Sequence, residues 1–343
     1  MFRIQISQWL FDNGVCNPAI LAGEAEYLGK EAHYFDDDAR YQQGPAFYSR
    51  KFEHCKAAVG DSFVMDATPN TLLYPKRVYD TYNQVGGIEA LSKVKLIAIL
   101  RDPISREMSL YNHKRMEYLE SCKISGCNRN AWYSDVAFPG TNAAMSFEQY
   151  SQHVLAGQLS NQFWKCDGKY IDHLKQWMSY FDRKQLLVLS HAEIQEAPEV
   201  AERRVQEFLG VKFEGHLQVE NESKEQSRAV PPMARRVLDP LFKEKNSELY
   251  KFLDEYPGPS MEQHPFKRFT SESLDDQINN HSPQRKHPQT KSEETAQTAN
   301  VIKPALVGMS AAKKEVQDTR MQPLLPNILL IGAQKAGTES VSG

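Results

Sequence analysis

The sequence has no apolar run approaching the roughly 18 residues a membrane-spanning helix needs, so no transmembrane segment is expected. It also lacks a surplus of charge of one sign: 41 Lys and Arg stand against 44 Asp and Glu. A general nucleic-acid binder needs a basic excess to neutralise phosphates, so nucleic acid is not expected as a partner. A small basic pocket for a single nucleotide remains compatible with this balance. Cysteine is scarce and odd in number, at Cys16, Cys55, Cys122, Cys127 and Cys166. No paired CxxC spacing occurs, so no structural metal site is expected. The close spacing of Cys122 and Cys127 suits either a short cross-linked hairpin or two separate thiols. The opening MFRIQISQWLFDNG has one basic residue, and Gln8, Asp12 and Asn13 break its apolar stretch, so it reads poorly as a signal peptide. No internal repeat is found.

What is present is a body rich in apolar and aromatic residues, 41% and 10% of the chain. It is expected to fold over residues 1–269. Residues 270–322 form a polar stretch whose segment SESLDDQINNHSPQRKHPQTKSEETAQTAN contains no aromatic. Such a composition cannot bury enough apolar surface to offset its ordering entropy, and a disordered linker is expected. Residues 323–343 regain an apolar run, Ile328-Leu329-Leu330-Ile331, followed at once by a glycine-bounded turn. A second apolar run, Val94 to Leu100, ends at Arg101-Asp102-Pro103. A helix is expected to follow, with Pro103 in its first turn and Asp102 as its cap. Tyr170 to Tyr180 and Gln185 to Leu189 read as a helix–strand pair, and Ala201 to Leu209 as an amphipathic helix. Strands alternating with helices predict an α/β fold around a parallel sheet.

Two loops carry the chemistry. Gly332-Ala333-Gln334-Lys335-Ala336-Gly337-Thr338-Glu339-Ser340 follows its strand directly. Its glycines let backbone N–H groups converge, and a helix starting near Thr338 adds its positive end, which together suit a phosphate or sulfate. The ATP-binding version ends in Gly-Lys-Ser/Thr. Here the lysine lies inside the loop, which disfavours a P-loop nucleotide kinase or NTPase. An ordinary strand–turn–helix is the other reading of this segment alone. In the second loop, Arg101 stands where a forked, charge-assisted contact to a phosphate is available. Ser109, two turns into the next helix, can donate to the same group.

The first loop resembles the 5′-phosphosulfate loop of sulfotransferases, G-x-x-K-x-G-T-T-S, at Gly332, Lys335, Gly337, Thr338 and Ser340. Arg101 to Tyr111 resembles their 3′-phosphate motif, R-D-P-x-x-R-x-x-S-x-Y. Lys30-Glu31-Ala32-His33-Tyr34-Phe35-Asp36 is similar to the K-E-x-H-F-F-D segment of the heparan-sulfate members, and Asp66-Ala67-Thr68-Pro69 to a further family turn. The resemblance covers roughly residues 7 to 255 and 324 to 342. It implies a P-loop-like three-layer fold and sulfuryl transfer from 3′-phosphoadenosine 5′-phosphosulfate to a hydroxyl or amino group of a carbohydrate, with a glycosaminoglycan-like acceptor. It implies cofactor binding by Gly332, Gln334, Lys335, Ala336, Gly337, Thr338, Ser340, Arg101 and Ser109. Lys335, Glu31 and His33 would be catalytic, Glu31 as base, and Lys30 and Asp36 would meet the acceptor. A catalytically impaired nucleotide-binding relative is the other outcome the resemblance allows. Relatives that modify polysaccharides imply the Golgi lumen, although no signal or anchor is visible here. In the family the phosphosulfate loop precedes the R-D-P motif. Here it follows, so a circularly permuted domain is expected, with exchange of the loop between two chains as an alternative geometry.

Overall fold

The computed structural model describes residues 2–4, 6–19, 30–58, 63–131, 133–138, 140–157, 168–217, 219–221, 230–260, 265–269 and 324–332. The chain divides into a unit of Met1–Ser271 with Gln322–Gly343, and a second of Glu272–Met321. The second unit, and with it nearly all of the expected linker, lies outside the described residues. So do Ala333 and everything after it.

In chain order the first unit contains strand β1 (Phe2–Ile4), helices α1 (Ile6–Asp12), α2 (Asp38–Tyr41) and α3 (Pro45–Arg50), and strand β2 (Met65–Asp66). Helix α4 (Pro75–Lys93), strand β3 (Lys95–Leu100) and helices α5 (Pro103–Ser125), α6 (Phe147–Leu155) and α7 (Tyr170–Trp177) come next. Strand β4 (Leu186–Ser190), helices α8 (His191–Glu196) and α9 (Pro198–Leu209), strand β5 (Val219–Asn221), helix α10 (Pro232–Glu255) and strand β6 (Ile328–Gly332) complete the series. Asp102 caps α5 as its sequence suggests, its side chain accepting from the Ser105 N–H at 3.1 Å.

The central sheet is parallel, in the order β2-β6-β3-β4. Every residue of β4 and β6, and β3 from Leu96 to Leu100, is buried. Strands buried on alternating side chains have both faces covered, which is the three-layer arrangement of parallel sheets. The strand latest in the chain therefore lies between two earlier ones. Its register with β3 runs from Lys95 opposite Ile328 to Ile99 opposite Gly332. Burying each aliphatic side chain of β6 stabilises the fold by about 1.5–3 kcal/mol. Polar groups fix the strand's entry: the Asn327 side chain accepts from Val64 N at 2.8 Å, and its carbonyl accepts from Lys95 N at 2.8 Å. Tyr82 donates to the Pro326 carbonyl. At the other end, a Cβ on Gly332 would stand 2.8 Å from the Ile99 carbonyl oxygen. Even alanine would push β6 away from β3, so the position needs glycine for close approach.

A separate pair, β1 with β5, is antiparallel. A second apolar cluster lies around α5, α6 and α10, including Tyr118, Tyr150 and Phe242. The helices after β4 are pinned by charge: Arg204 makes a two-pronged contact to Glu193 at 2.6 and 2.7 Å and donates to the Val188 carbonyl at 3.0 Å. Two disulfides form among the described cysteines. Cys122–Cys127 bridges the last turn of α5 to the residue after its left-handed cap Gly126, at a helix end rather than in a hairpin. Cys16–Cys55 joins segments with no spacing signal in the sequence.

Candidate functional site

The described ends of the motif-bearing segments lie at the carboxyl edge of the sheet, where open α/β folds bind ligands. Residues 67–68 leave β2, Gly332 ends β6, Arg101 leaves β3, and His191 follows β4.

Asp66 builds the β2 corner. Its Oδ1 accepts from the N–H groups of Ala32 and Thr68 at 3.1 and 3.0 Å and from Thr68 Oγ1 at 2.6 Å. Its Oδ2 accepts from Tyr48 OH at 2.8 Å. Burial lifts this carboxyl above its ordinary range despite those donors. The corner holds the Lys30–Asp36 segment against the strand: Ala67 N donates to the Lys30 carbonyl at 3.0 Å, and His33 N to Thr68 Oγ1 at 3.1 Å. Arg40 and Arg77 donate to the carbonyls of Ala32 and Phe35 at 3.1 and 2.7 Å. His33 adopts a left-handed φ of 48°. Such a conformation costs about 1–3 kcal/mol in a residue with a side chain, and persists where surrounding bonds fix it.

The strained backbone sets the His33 ring between two carboxylates, Nε2 at 3.0 Å from Glu31 Oε2 and Nδ1 at 2.9 Å from Asp36 Oδ2. Asn70 also donates to Asp36, at 3.3 Å. Burial works against the charged ring, but the two hydrogen-bonded carboxylates outweigh it and raise the imidazole to about 10. His33 is thus a cation at neutral pH. Glu31, only 5% exposed, has one oxygen fixed by that cation. Its other oxygen, Oε1, has no partner among the described residues.

The raised imidazole predicts a pH effect. Its folded value lies above its unfolded one, so the stabilisation is complete below about 6.5 and is lost as pH rises through about 10. Urea unfolding of the wild type and His33→Gln should therefore show a difference that shrinks across that window. A constant difference would remove the ion triad.

The β3 corner is cationic. The Arg101 carbonyl accepts from Tyr170 OH at 2.9 Å, fixing the turn into α5. Burial first, and then the Arg101 charge, pushes His191 down to about 3 against a raising hydrogen bond with Gln195. His191 is neutral and lies close enough to feel the guanidinium. Arg235 of α10 donates to Asp102 Oδ2 at 3.1 Å. His191 Nε2 and Arg235 Nη1 are buried with no hydrogen-bond partner among the described residues. An orphaned buried donor such as the Arg235 N–H is costly, and a bound anion would satisfy it. Neither residue carried a signal in the sequence, since each is distant from the R-D-P motif along the chain. Arg106, the second arginine of that motif, is 1% exposed and pairs with Glu107 at 3.3 Å, so it faces the interior. Ser109 is half-buried on α5. Lys30 is half-buried beside the triad. Gln334, Lys335, Ala336, Gly337, Thr338 and Ser340 lie outside the described residues.

Comparison with known proteins bears on the family. The chain is 25% identical over 272 residues to the mouse bifunctional heparan sulfate N-deacetylase/N-sulfotransferase 3, covering 71% of this chain and 28% of that protein. It is 26% identical over 189 residues to the mouse heparan sulfate glucosamine 3-O-sulfotransferase 3B1, covering 54% of this chain and 39% of that one. It thus spans well under half the length of either relative. A solved sulfotransferase from Alicyclobacillus acidocaldarius aligns at 15% identity with a TM-score of 0.41, over 73% of this chain and 91% of that one. The profile of the sulfotransferase domain matches residues 48–232, from the Tyr48 that anchors Asp66, through β3 and the R-D-P turn, to the start of α10. That unbroken match means the chain belongs to the sulfotransferase domain family.

Proposed function

We propose that the chain moves a sulfuryl group from 3′-phosphoadenosine 5′-phosphosulfate to a hydroxyl or amino group of a carbohydrate of the glycosaminoglycan type. The carrying observation is the register of β6 with β3, which ends the strand before the glycine-and-lysine loop beside the strand that delivers Arg101. We read residues 1–269 and 323–343 as one domain in permuted order, because β6 fills the slot between β2 and β3. The heparan sulfate enzymes among the relatives support the acceptor class.

The donor, when bound, supplies an electrophilic sulfur and a bisphosphate leaving group. Arg101 and Ser109 hold its 3′-phosphate, with Arg235 offering a buried N–H that has no partner among the described residues. Loop residues 332–340 cradle the 5′ end, and Lys335 offsets negative charge on the bridging oxygen. Glu31 Oε1 accepts the proton of the attacking acceptor group. His33, fixed as a cation by Asp36, orients Glu31 through Oε2. Lys30 and Asp36 border the acceptor side.

The nucleotide tests this reading. Adenosine 3′,5′-bisphosphate should raise the melting temperature where ATP does not, because only the former places a phosphate at Arg101. Arg101→Ala should weaken bisphosphate binding about tenfold to a hundredfold, the loss of one charge-assisted contact. Equal stabilisation by ATP would replace the proposal with an ATP-dependent activity.

A further inference from the structure

A chain of buried hydroxyls runs through the main apolar core, from the entry of β6 to the segment that carries Glu31. It starts at the Pro326 carbonyl, which accepts from Tyr82 of α4. The Tyr82 oxygen is hydrogen-bonded in turn to Tyr48 of α3. Tyr48 donates to Asp66 Oδ2 at 2.8 Å. Asp66 then reaches the segment by two routes, Ala32 N directly and His33 N through Thr68 Oγ1. Tyr82, Tyr48, Asp66 and Thr68 are each no more than 2% exposed.

The rings grip the same segment as the hydroxyls. Tyr48 stacks on Tyr34 with centroids 4.6 Å apart and meets Phe35 edge-on at 5.0 Å. Helix α4 adds two further holds, Thr81 hydrogen-bonded to the Tyr34 hydroxyl and Arg77 donating to the Phe35 carbonyl. One helix therefore touches both the entry of β6 and the Glu31 segment. Burial above all, and then the charge of Asp66, hold both phenols well above their ordinary range, so their protons stay in place at neutral pH. A packing role alone would be met by phenylalanine at 48 and 82, which buries the same ring without a hydroxyl. A satisfied buried polar chain instead fixes one arrangement.

We propose that Tyr48 and Tyr82 are positioning residues, which make the seating of β6 a condition for the placement of Glu31 and His33. This deepens the proposed sulfuryl transfer and rests on it. With the Pro326 carbonyl in place, the Tyr82 proton points to β6 and its oxygen is left to face Tyr48. Tyr48 then stands between two acceptors with a single proton, and its ring lies where both are reached. Asp66 inherits that orientation, and with it Thr68 and the backbone of residues 32 and 33. Displacing β6 frees the first member of the chain and loosens every later one. The base is thus assembled only when the strand leading to the donor loop is seated.

The test uses the full chain carrying Tyr48→Phe or Tyr82→Phe. The control is Tyr150→Phe, equally buried, whose hydroxyl serves Glu107 in the second cluster. The His33 ring, expected to titrate at about 10 in the wild type, should move down toward about 6.5 in both positioning variants and stay in the control. Turnover (kcat) should fall about tenfold to a hundredfold, the cost of a small misplacement, with bisphosphate affinity little changed. The same substitutions in a Glu31→Gln background should lower kcat no further, because they act through Glu31. A structural role alone would cost stability in all three variants and turnover equally in both backgrounds. Tyr82→Phe leaves no carboxylate without its donor, so it keeps the test open if Tyr48→Phe does not fold. An unmoved His33 ring would overturn the proposal. So would a loss of kcat repeated in full in the Glu31→Gln background, or a ring shift shared by Tyr150→Phe. Lack of turnover in the wild type would count against the proposed function, and the ring titration would still decide for or against the positioning chain.

Discussion

Glu31→Gln is expected to lower kcat for sulfuryl transfer by about 10²–10⁴, the range in which a positioned general base contributes. The substitution keeps the shape of the side chain and its contact to His33 but removes the group that takes the proton. The backbone around it should not move, because it hangs from Asp66 through Ala32 N and Thr68 rather than from Glu31 itself. Bisphosphate affinity should therefore stay near wild type while turnover collapses, and the melting temperature should fall modestly because the His33 cation loses one of its two carboxylate partners. Losing one of the two carboxylates that hold the His33 cation should also bring the imidazole down from its raised value. Nuclear magnetic resonance titration of the His33 ring would read this directly. Wild-type turnover in Glu31→Gln would exclude this carboxylate as base.

Lys335→Ala is expected to cost about 10²–10³ in kcat, comparable to deleting one preorganised donor aimed at developing charge. The role proposed for it rests on β6. The strand is locked on both sides, to β2 and to β3, and Gly332 ends against the Ile99 carbonyl. The loop that begins there starts from a fixed point at the carboxyl edge of the sheet. A lysine acting on the bridging oxygen works mainly in the transition state, so kcat should fall much further than the affinity for adenosine 3′,5′-bisphosphate. The measurement is turnover with labelled donor on a glycosaminoglycan acceptor, beside a binding isotherm for the bisphosphate. Full activity in Lys335→Ala would dismiss the role assigned to the loop.

The chain advertised β3, β4 and β6 because they are buried on both faces, and an aliphatic run such as Ile328 to Ile331 between turn residues reads as a buried strand, whereas the two-residue β2 left no such run. The Asp102-Pro103 pair announced α5 for an equally local reason, a capping carboxylate followed by a residue that needs no N–H partner. The Glu31 segment was legible only through resemblance, since its geometry depends on Asp66 and Tyr48 reaching it across the fold. Arg235 and His191 were illegible for a related reason. They join Arg101 only after β4 and α10 have been placed, and nothing in their neighbours marks them. The short pairing of β1 with β5 and the Cys16–Cys55 link are contacts between distant, locally unremarkable segments. Pairings of that kind are set by the whole topology.

The position of β6 also bears on how the molecule is made. A ribosome releases β2 and β3 long before the strand that separates them. Until β6 emerges, those two strands border an open slot of unpaired backbone and bare aliphatic surface, the condition that invites mispairing and aggregation. Closing the slot requires contacts of very large sequence separation, which slow the final step. The nascent protein should therefore depend on chaperone shelter late in synthesis, and a short peptide spanning 324–332, supplied in excess during refolding, should compete for the same berth.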